Sequence, residues 1–133
     1  MHMITDPIGD FIIRLKNASA VRKASIAVPF SKMKLSIALA LKKAGYVGEV
    51  GETGSIPGKM LTVELLYDAE GISKINGVKR ISKPGRRLYA KAHEVNRVKY
   101  GHGLMVLTTP MGIVTDREAR EKRLGGETLF AIW

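Results

Sequence analysis

Leu107-Thr108-Thr109-Pro110-Met111-Gly112-Ile113-Val114-Thr115-Asp116-Arg117-Glu118-Ala119-Arg120, followed by Gly125-Gly126-Glu127, is the stretch whose reading decides how the chain is built. It reads as a strand, a hydroxyl-bearing loop, a short helix and a glycine break before a final strand. Thr115 and Glu118 stand three apart, hydroxyl then carboxylate, which is the spacing of a capping box, so a helix begins there. Gly125-Gly126 ends it, and Glu127 to Trp133 forms the last strand. Thr108 and Thr109 offer neighbouring hydroxyls, Gly112 admits close approach, and Arg117 and Arg120 add positive charge. Such a set suits a polar, anionic partner, but it does not amount to a catalytic constellation.

Working outward, Leu104 to Thr109 is a strand entered through a tight turn at Gly101-His102-Gly103. Ile72 to Ser82 reads as one long strand with Asn76-Gly77 as a bulge or turn, and Pro84-Gly85 is a turn signal. Arg86 to Lys91 is extended, and Ala92 to Val98 is a candidate short helix. At the other end, Asp6 before Pro7 is a helix start, a capping carboxylate followed by proline at the first helical position. Ile8, Phe11, Ile12 and Leu15 then make one apolar face, and the helix runs to about Ala20. Ser25 to Phe30 is a short strand. Ser31 caps a second helix that stops at Gly45, and Tyr46 to Val50 and Met60 to Tyr67 are strands joined by a turn from Gly51 to Gly58. The chain thus divides into residues 1–70, an N-terminal α/β domain of order α-β-α-β-β, and residues 71–133, a mainly β domain with short helices. The fold class is α+β.

Composition narrows the function. A chain of 133 residues with 45% hydrophobic content builds a real core, so this is no disordered basic tail. Without cysteine it has neither disulfides nor thiolate chemistry, and a reducing, cytoplasmic setting is expected. Apolar runs fall far short of the roughly 20 residues of a membrane span. Asp6, Pro7 and Asp10 interrupt the region where a signal peptide would need its apolar stretch.

Lys and Arg outnumber Asp and Glu by 22 to 12, a net charge of +10. Such an excess repels itself unless an anionic partner neutralises it, and nucleic acid is the commonest one. The charges are also segregated. Eight basic residues and no acid lie between Phe11 and Gly48, and eight basic residues accompany only Glu94 between Lys79 and Lys99. The intervening segment, Gly48 to Glu70, carries five acids and only Lys59. Within the basic segments, Lys32 and Lys34 open the second helix, where positive charge opposes the helix dipole and a bound phosphate would reverse that sign. Ser82-Lys83-Pro84-Gly85-Arg86-Arg87-Leu88-Tyr89 sets three cations around a turn with an aromatic ring behind them, as RNA recognition requires.

Enzyme signatures are missing. His2, His93 and His102 are scattered, with no metal-ligand spacing among them. Gly54-Ser55-Ile56-Pro57-Gly58-Lys59 resembles a phosphate loop but is one residue short between its glycines, and Met60 stands where Ser or Thr holds magnesium. No cofactor, metal or small-molecule substrate is expected, and a small nucleotide-binding enzyme is only a remote alternative.

Taken together, several segments resemble the bacterial-type small-subunit ribosomal protein eight family over essentially the whole chain. They are Asp6-Pro7-Ile8-Gly9-Asp10 with Arg14 and Asn17, Ser31-Lys32-Met33-Lys34, Ser82 through Tyr89, Gly101 and Gly103, and Gly112 through Arg120 with Gly125-Gly126-Glu127. The last block is the most specific. The resemblance implies a non-enzymatic ribosomal protein of the cytoplasm that binds the central domain of small-subunit ribosomal RNA and promotes assembly of the platform. It also implies neighbouring ribosomal proteins as partners, and repression of its own operon's messenger as an alternative or additional role. By the same resemblance, Thr108, Thr109 and Gly112 face RNA with Tyr89 and Glu127 nearby and Lys83, Arg86 and Arg87 alongside. Arg14, Asn17, Lys32 and Lys34 would meet a second RNA segment, and Thr115 and Glu118 would be structural caps. The chain departs from the family's usual Ser-Thr-Ser pattern at Pro110 and Met111, which lack the second serine's hydroxyl and the usual polar side chain.

Overall fold

The structure is a computed structural model, and it describes residues 6–94 and 103–133. Its elements are α1 (Pro7–Ala20), β1 (Ser25–Pro29), α2 (Lys32–Lys43), β2 (Val47–Thr53), β3 (Met60–Leu65), β4 (Val78–Arg80), β5 (Tyr89–Ala90), a 3-10 turn (Ala92–Glu94), β6 (Leu104–Thr109), β7 (Gly112–Thr115), α3 (Asp116–Lys122) and β8 (Gly126–Ile132). Helices and antiparallel sheets together make the α+β fold expected. Two compact units result, one of Phe11–Asn76 and one of residues 6–10 with Gly77–Trp133, so the division falls inside α1. The sequence reading set the divide at residues 70 and 71. Residues 71–76 pack instead with the first unit, through a Tyr67–Ser73 bridge and buried Ile75.

In the Phe11–Asn76 unit the order α-β-α-β-β holds, and the three strands form an antiparallel sheet ordered β1-β3-β2. Period-two alternation places Ile26 and Val28 of β1, and Leu61, Val63 and Leu65 of β3, in the core. Phe11, Ile12 and Leu15 of α1 and Ile37, Ala38 and Leu41 of α2 are buried with them. The apolar wrap of α2 is only partly used, since Leu39 is exposed. Ser31 Oγ accepts the Lys34 N–H at 3.1 Å, capping α2. Beyond the helix, Gly45 takes φ +87° while its N–H reaches Lys42 O and the Tyr46 N–H reaches Leu41 O. This is the glycine-terminated helix end anticipated. β2 runs on to Thr53 by pairing with Met60, so the hairpin loop is shorter than the Gly51–Gly58 turn expected.

In the other unit β8 is the hub. It pairs with β4, β5 and β6, and β7 lies outside β6. Every residue of β8 after Gly126 is buried, as befits a strand covered on both faces. Between Val106 and Leu107 the β6–β8 register shifts, which leaves Leu129 unmatched. The Leu129 carbonyl accepts instead from Ile81 N–H and from Arg80 Nη1. Arg80 also grips Asp6 through Nε and Nη2, and Asp6 Oδ1 accepts the Gly9 N–H, so the α1 cap belongs to this unit.

Three expectations need correction. Ile72 to Ser82 is not one strand; Val78–Arg80 alone of it forms a strand. Ser73 Oγ turns the chain by accepting Ile75 N–H, and a side chain at Gly77 would strike the Trp133 indole at 2.6 Å. Gly112–Thr115, read as loop, is β7, so Pro110-Met111 is the tip of a hairpin. Lastly, Gly125-Gly126 does not end α3. Arg123 does, in the left-handed conformation at φ +54°, with its N–H on Arg120 O and the Leu124 N–H on Ala119 O. Arg22 ends α1 the same way at φ +57°. A non-glycine residue there costs about 1–2 kcal/mol. Of the candidate helix from Ala92 to Val98, Ala92–Glu94 is a 3-10 turn; Val95 to Val98, like Gly101 and His102, lies outside the described residues.

Candidate nucleic-acid interface

β5, β6 and β8 wall a groove of about 660 Å³, lined by Tyr89, Ala90, Lys91, Glu94, Thr108, Thr109, Pro110, Gly125, Gly126 and Glu127. Two glycines are what let it form. A Cβ on Gly126 would lie 2.1 Å from Thr108 O, and one on Gly125 would lie 2.7 Å from Ala90 O. Both contacts are with backbone, which cannot swing aside. The glycine pair read as a helix stop is therefore the close-packed wall of the groove.

Tyr89 is 71% exposed, so its ring is a surface feature and not part of the core. Its partner across the β5–β8 pairing is Glu127, which is buried. Arg87 Nη1 lies 3.2 Å from both Glu127 oxygens, so one arginine of the turn compensates the buried carboxylate. Burying that charge without a partner would be costly. Lys83 and Arg86 are exposed and, among the described residues, make no side-chain hydrogen bond or ion pair. The loop that carries them is tied at its base. Lys83 and Arg86 exchange backbone hydrogen bonds of 2.8 and 2.9 Å. Ser82, fully buried, accepts the Leu88 N–H at 2.8 Å and donates to Leu88 O at 3.0 Å. Thr128 Oγ1 donates to the same carbonyl.

The two threonines differ. Thr109 Oγ1 donates to Gly112 O at 2.9 Å and accepts the Met111 N–H at 3.1 Å, so it braces the hairpin tip. No hydrogen bond engages the Thr108 hydroxyl among the described residues, which leaves it available to a ligand. Proline fixes Pro110 near −65°, and Met111 has no positive φ, so the tip is an unprimed turn that would splay the strands. Gly112 at φ +108° supplies the following left-handed residue that restores pairing. Met111 is 77% exposed at the tip. Thr115 and Glu118 form the capping box foreseen, with backbone-to-side-chain bonds of 3.3 Å in each direction. Asp116 is buried beneath them, accepting from Arg120 at 3.0 Å and from the Met105 N–H.

The candidates of the Phe11–Asn76 unit are less concentrated. Arg14 and Asn17 are exposed on α1, and Lys32 is exposed at the start of α2. Lys34 Nζ donates to Pro29 O at 3.0 Å, so part of its capacity is turned inward. No hydrogen bond or ion pair joins Arg14 or Asn17 to either lysine among the described residues. The phosphate-loop lookalike is a hairpin loop. Lys59 pairs with Glu52 at 3.2 Å and lies 4.3 Å over the Phe30 ring.

Lys91, Glu94 and Gly125 line the groove without having been singled out as contacts. Lys91 was visible only as one charge of a basic run, and Gly125 only as a helix breaker.

Comparison of the sequence with known proteins identifies the family. The family profile described as ribosomal protein S8 matches residues 6–133. The small ribosomal subunit protein uS8 of Halothermothrix orenii is 44% identical over 130 residues, 98% of each chain. That of Rubrobacter xylanophilus is 42% identical over 130 residues, again 98% of each chain. That of Geobacillus kaustophilus is 44% identical over 131 residues, 98% of this chain and 99% of the relative. With the profile spanning residue 6 to residue 133 and relatives at this identity matched end to end, the chain belongs to the ribosomal protein S8 family.

Proposed function

We propose that this protein is a primary binder of small-subunit ribosomal RNA, acting on the central domain and promoting assembly of the subunit platform. Its family is one of structural ribosomal proteins, not of enzymes. The observation that carries the reading is the groove in which exposed Tyr89 stands beside Thr108 and the buried carboxylate of Glu127. The Tyr89 ring offers a face on which an unstacked base can lie. The Thr108 hydroxyl and the Glu127 oxygens can meet base edges or ribose 2′-hydroxyls. Lys83, Arg86 and Lys91 neutralise phosphates, which positions the RNA without reading its sequence. Arg14, Asn17, Lys32 and Lys34 are proposed contacts to a second RNA segment, and the unit that holds Gly77–Trp133 carries the principal RNA-binding surface.

Such a surface works by differential affinity. It binds one folded RNA conformation better than its competitors, and so shifts the RNA toward the assembled subunit. A messenger segment folded into the same shape would fill the same groove, so repression of the protein's own operon is a second use of this surface, alongside contacts with neighbouring ribosomal proteins.

The test is affinity for a central-domain RNA fragment, measured against salt. Several neutralised phosphates should make log K fall steeply with log salt, and Tyr89→Ala should lose about 1–3 kcal/mol with little change in slope. A flat salt response, or a Tyr89→Ala variant that binds as well as the parent, would overturn the assignment of the groove.

A further inference from the structure

Arg123 is left over once the groove residues have been accounted for. It lies just past α3 at φ +54°, its side chain is exposed, and among the described residues its guanidinium has no hydrogen bond or ion pair. Glycine is the residue suited to this conformation, and α2 ends on Gly45 with the same pair of closing hydrogen bonds. Within α3, Arg120 is held by Asp116. An unpaired, exposed arginine in this conformation has its guanidinium free for a partner outside the fold. Its place in the chain suggests one, because two residues later Gly125 and Gly126 form the wall of the groove.

We propose that Arg123 is a phosphate-binding residue of the RNA interface, carried at the left-handed end of α3 two residues ahead of the groove wall. The inference rests on the RNA-binding reading above and adds a contact to it. A planar guanidinium donates two parallel hydrogen bonds to a phosphate, and the turn fixes where its side chain leaves the backbone. The competing account is structural, with a positive charge simply favourable at the C-terminal end of the α3 dipole.

The two accounts separate in Arg123→Gly, studied in the full chain with the central-domain RNA fragment. Relief of the left-handed strain should leave the melting temperature unchanged or raise it. Arg22→Gly, which relieves the same conformation at the end of α1, calibrates that gain. Binding should weaken about five- to tenfold at low salt. The slope of log K against log salt should become shallower by about one. Arg123→Lys, which keeps the charge, should hold the slope of the parent. An Arg123→Gly protein that binds with the affinity and slope of the parent overturns the inference, and so does one that melts lower while binding normally. Failure of the parent protein to bind the fragment would remove the RNA-binding reading and this contact together. A parent that binds while Arg123→Gly binds equally well removes Arg123 alone.

Discussion

Thr108 and Thr109 are adjacent in the chain, yet their hydroxyls do different work. Thr109 bridges the hairpin tip, donating to Gly112 O and accepting from Met111 N–H, whereas the Thr108 hydroxyl has no partner among the described residues. Thr109→Ala should therefore destabilise the protein by about 1 kcal/mol, lowering the melting temperature by a few degrees. Thr108→Val keeps the side-chain shape and removes only the free hydroxyl, so it should melt like the parent and bind RNA more weakly. Thermal melts beside binding titrations check both, and a stable, weak-binding Thr109→Ala would reverse the two roles. At Pro110 and Met111 the tip is shaped by the backbone: proline presets the turn that Gly112 completes.

At the scale of elements, what was legible in the sequence was what neighbouring residues decide. The α3 capping box, the strand Leu104–Thr109 and the Ser31 cap of α2 all follow from side chains a few positions apart. Distant contacts hid the rest. Ile72 to Ser82 reads as one strand from its own residues, but the Trp133 indole against Gly77 and the hydroxyl of Ser73 break it. Tyr89, Lys83 and Arg86 were visible as a cationic, aromatic turn. That Arg87 faces inward to Glu127 was not, because the acid lies 40 residues away in sequence. The glycine pair looks like a helix stop in the sequence, whereas what excludes a side chain at Gly126 is the carbonyl of Thr108. Gly126→Ala should consequently destabilise the β6–β8 pairing by about 1–3 kcal/mol. Hydrogen exchange should show loss of protection confined at first to β6 and β8. An alanine variant as stable as the parent would mean that the wall has room to give.

For the molecule as a whole, the charge of +10 makes acid stability depend on few carboxylates, and Asp6 is one whose setting can be named. Partial burial raises its pKa, but the hydrogen bond from Arg80, that from Gly9 N–H and the charges of Arg80 and Lys83 outweigh it and hold the carboxyl below its ordinary value. A lowered folded pKa means the ionised form stabilises the fold at neutral pH, and that this contribution is lost as pH falls through the folded value. Asp6→Asn keeps a good helix cap while removing the charge. The parent should be more stable than Asp6→Asn by a constant margin above about pH 5, and the margin should shrink below about pH 4. Urea unfolding across that range measures it; a margin independent of pH would show that the Arg80 clamp does not depend on ionisation.

The hub position of β8 has a temporal consequence. β8 follows every strand it pairs with, so β4, β5 and β6 have no common partner until Gly126–Ile132 leaves the ribosome that is making the chain. Until then the cations of residues 83–91 exist without the Gly125–Gly126 wall or the Glu127 carboxylate that would give them a shape to act through. The groove proposed to hold RNA therefore takes shape only once β8 has been made. A nascent chain shorter than that carries the cations of the proposed interface without its shape.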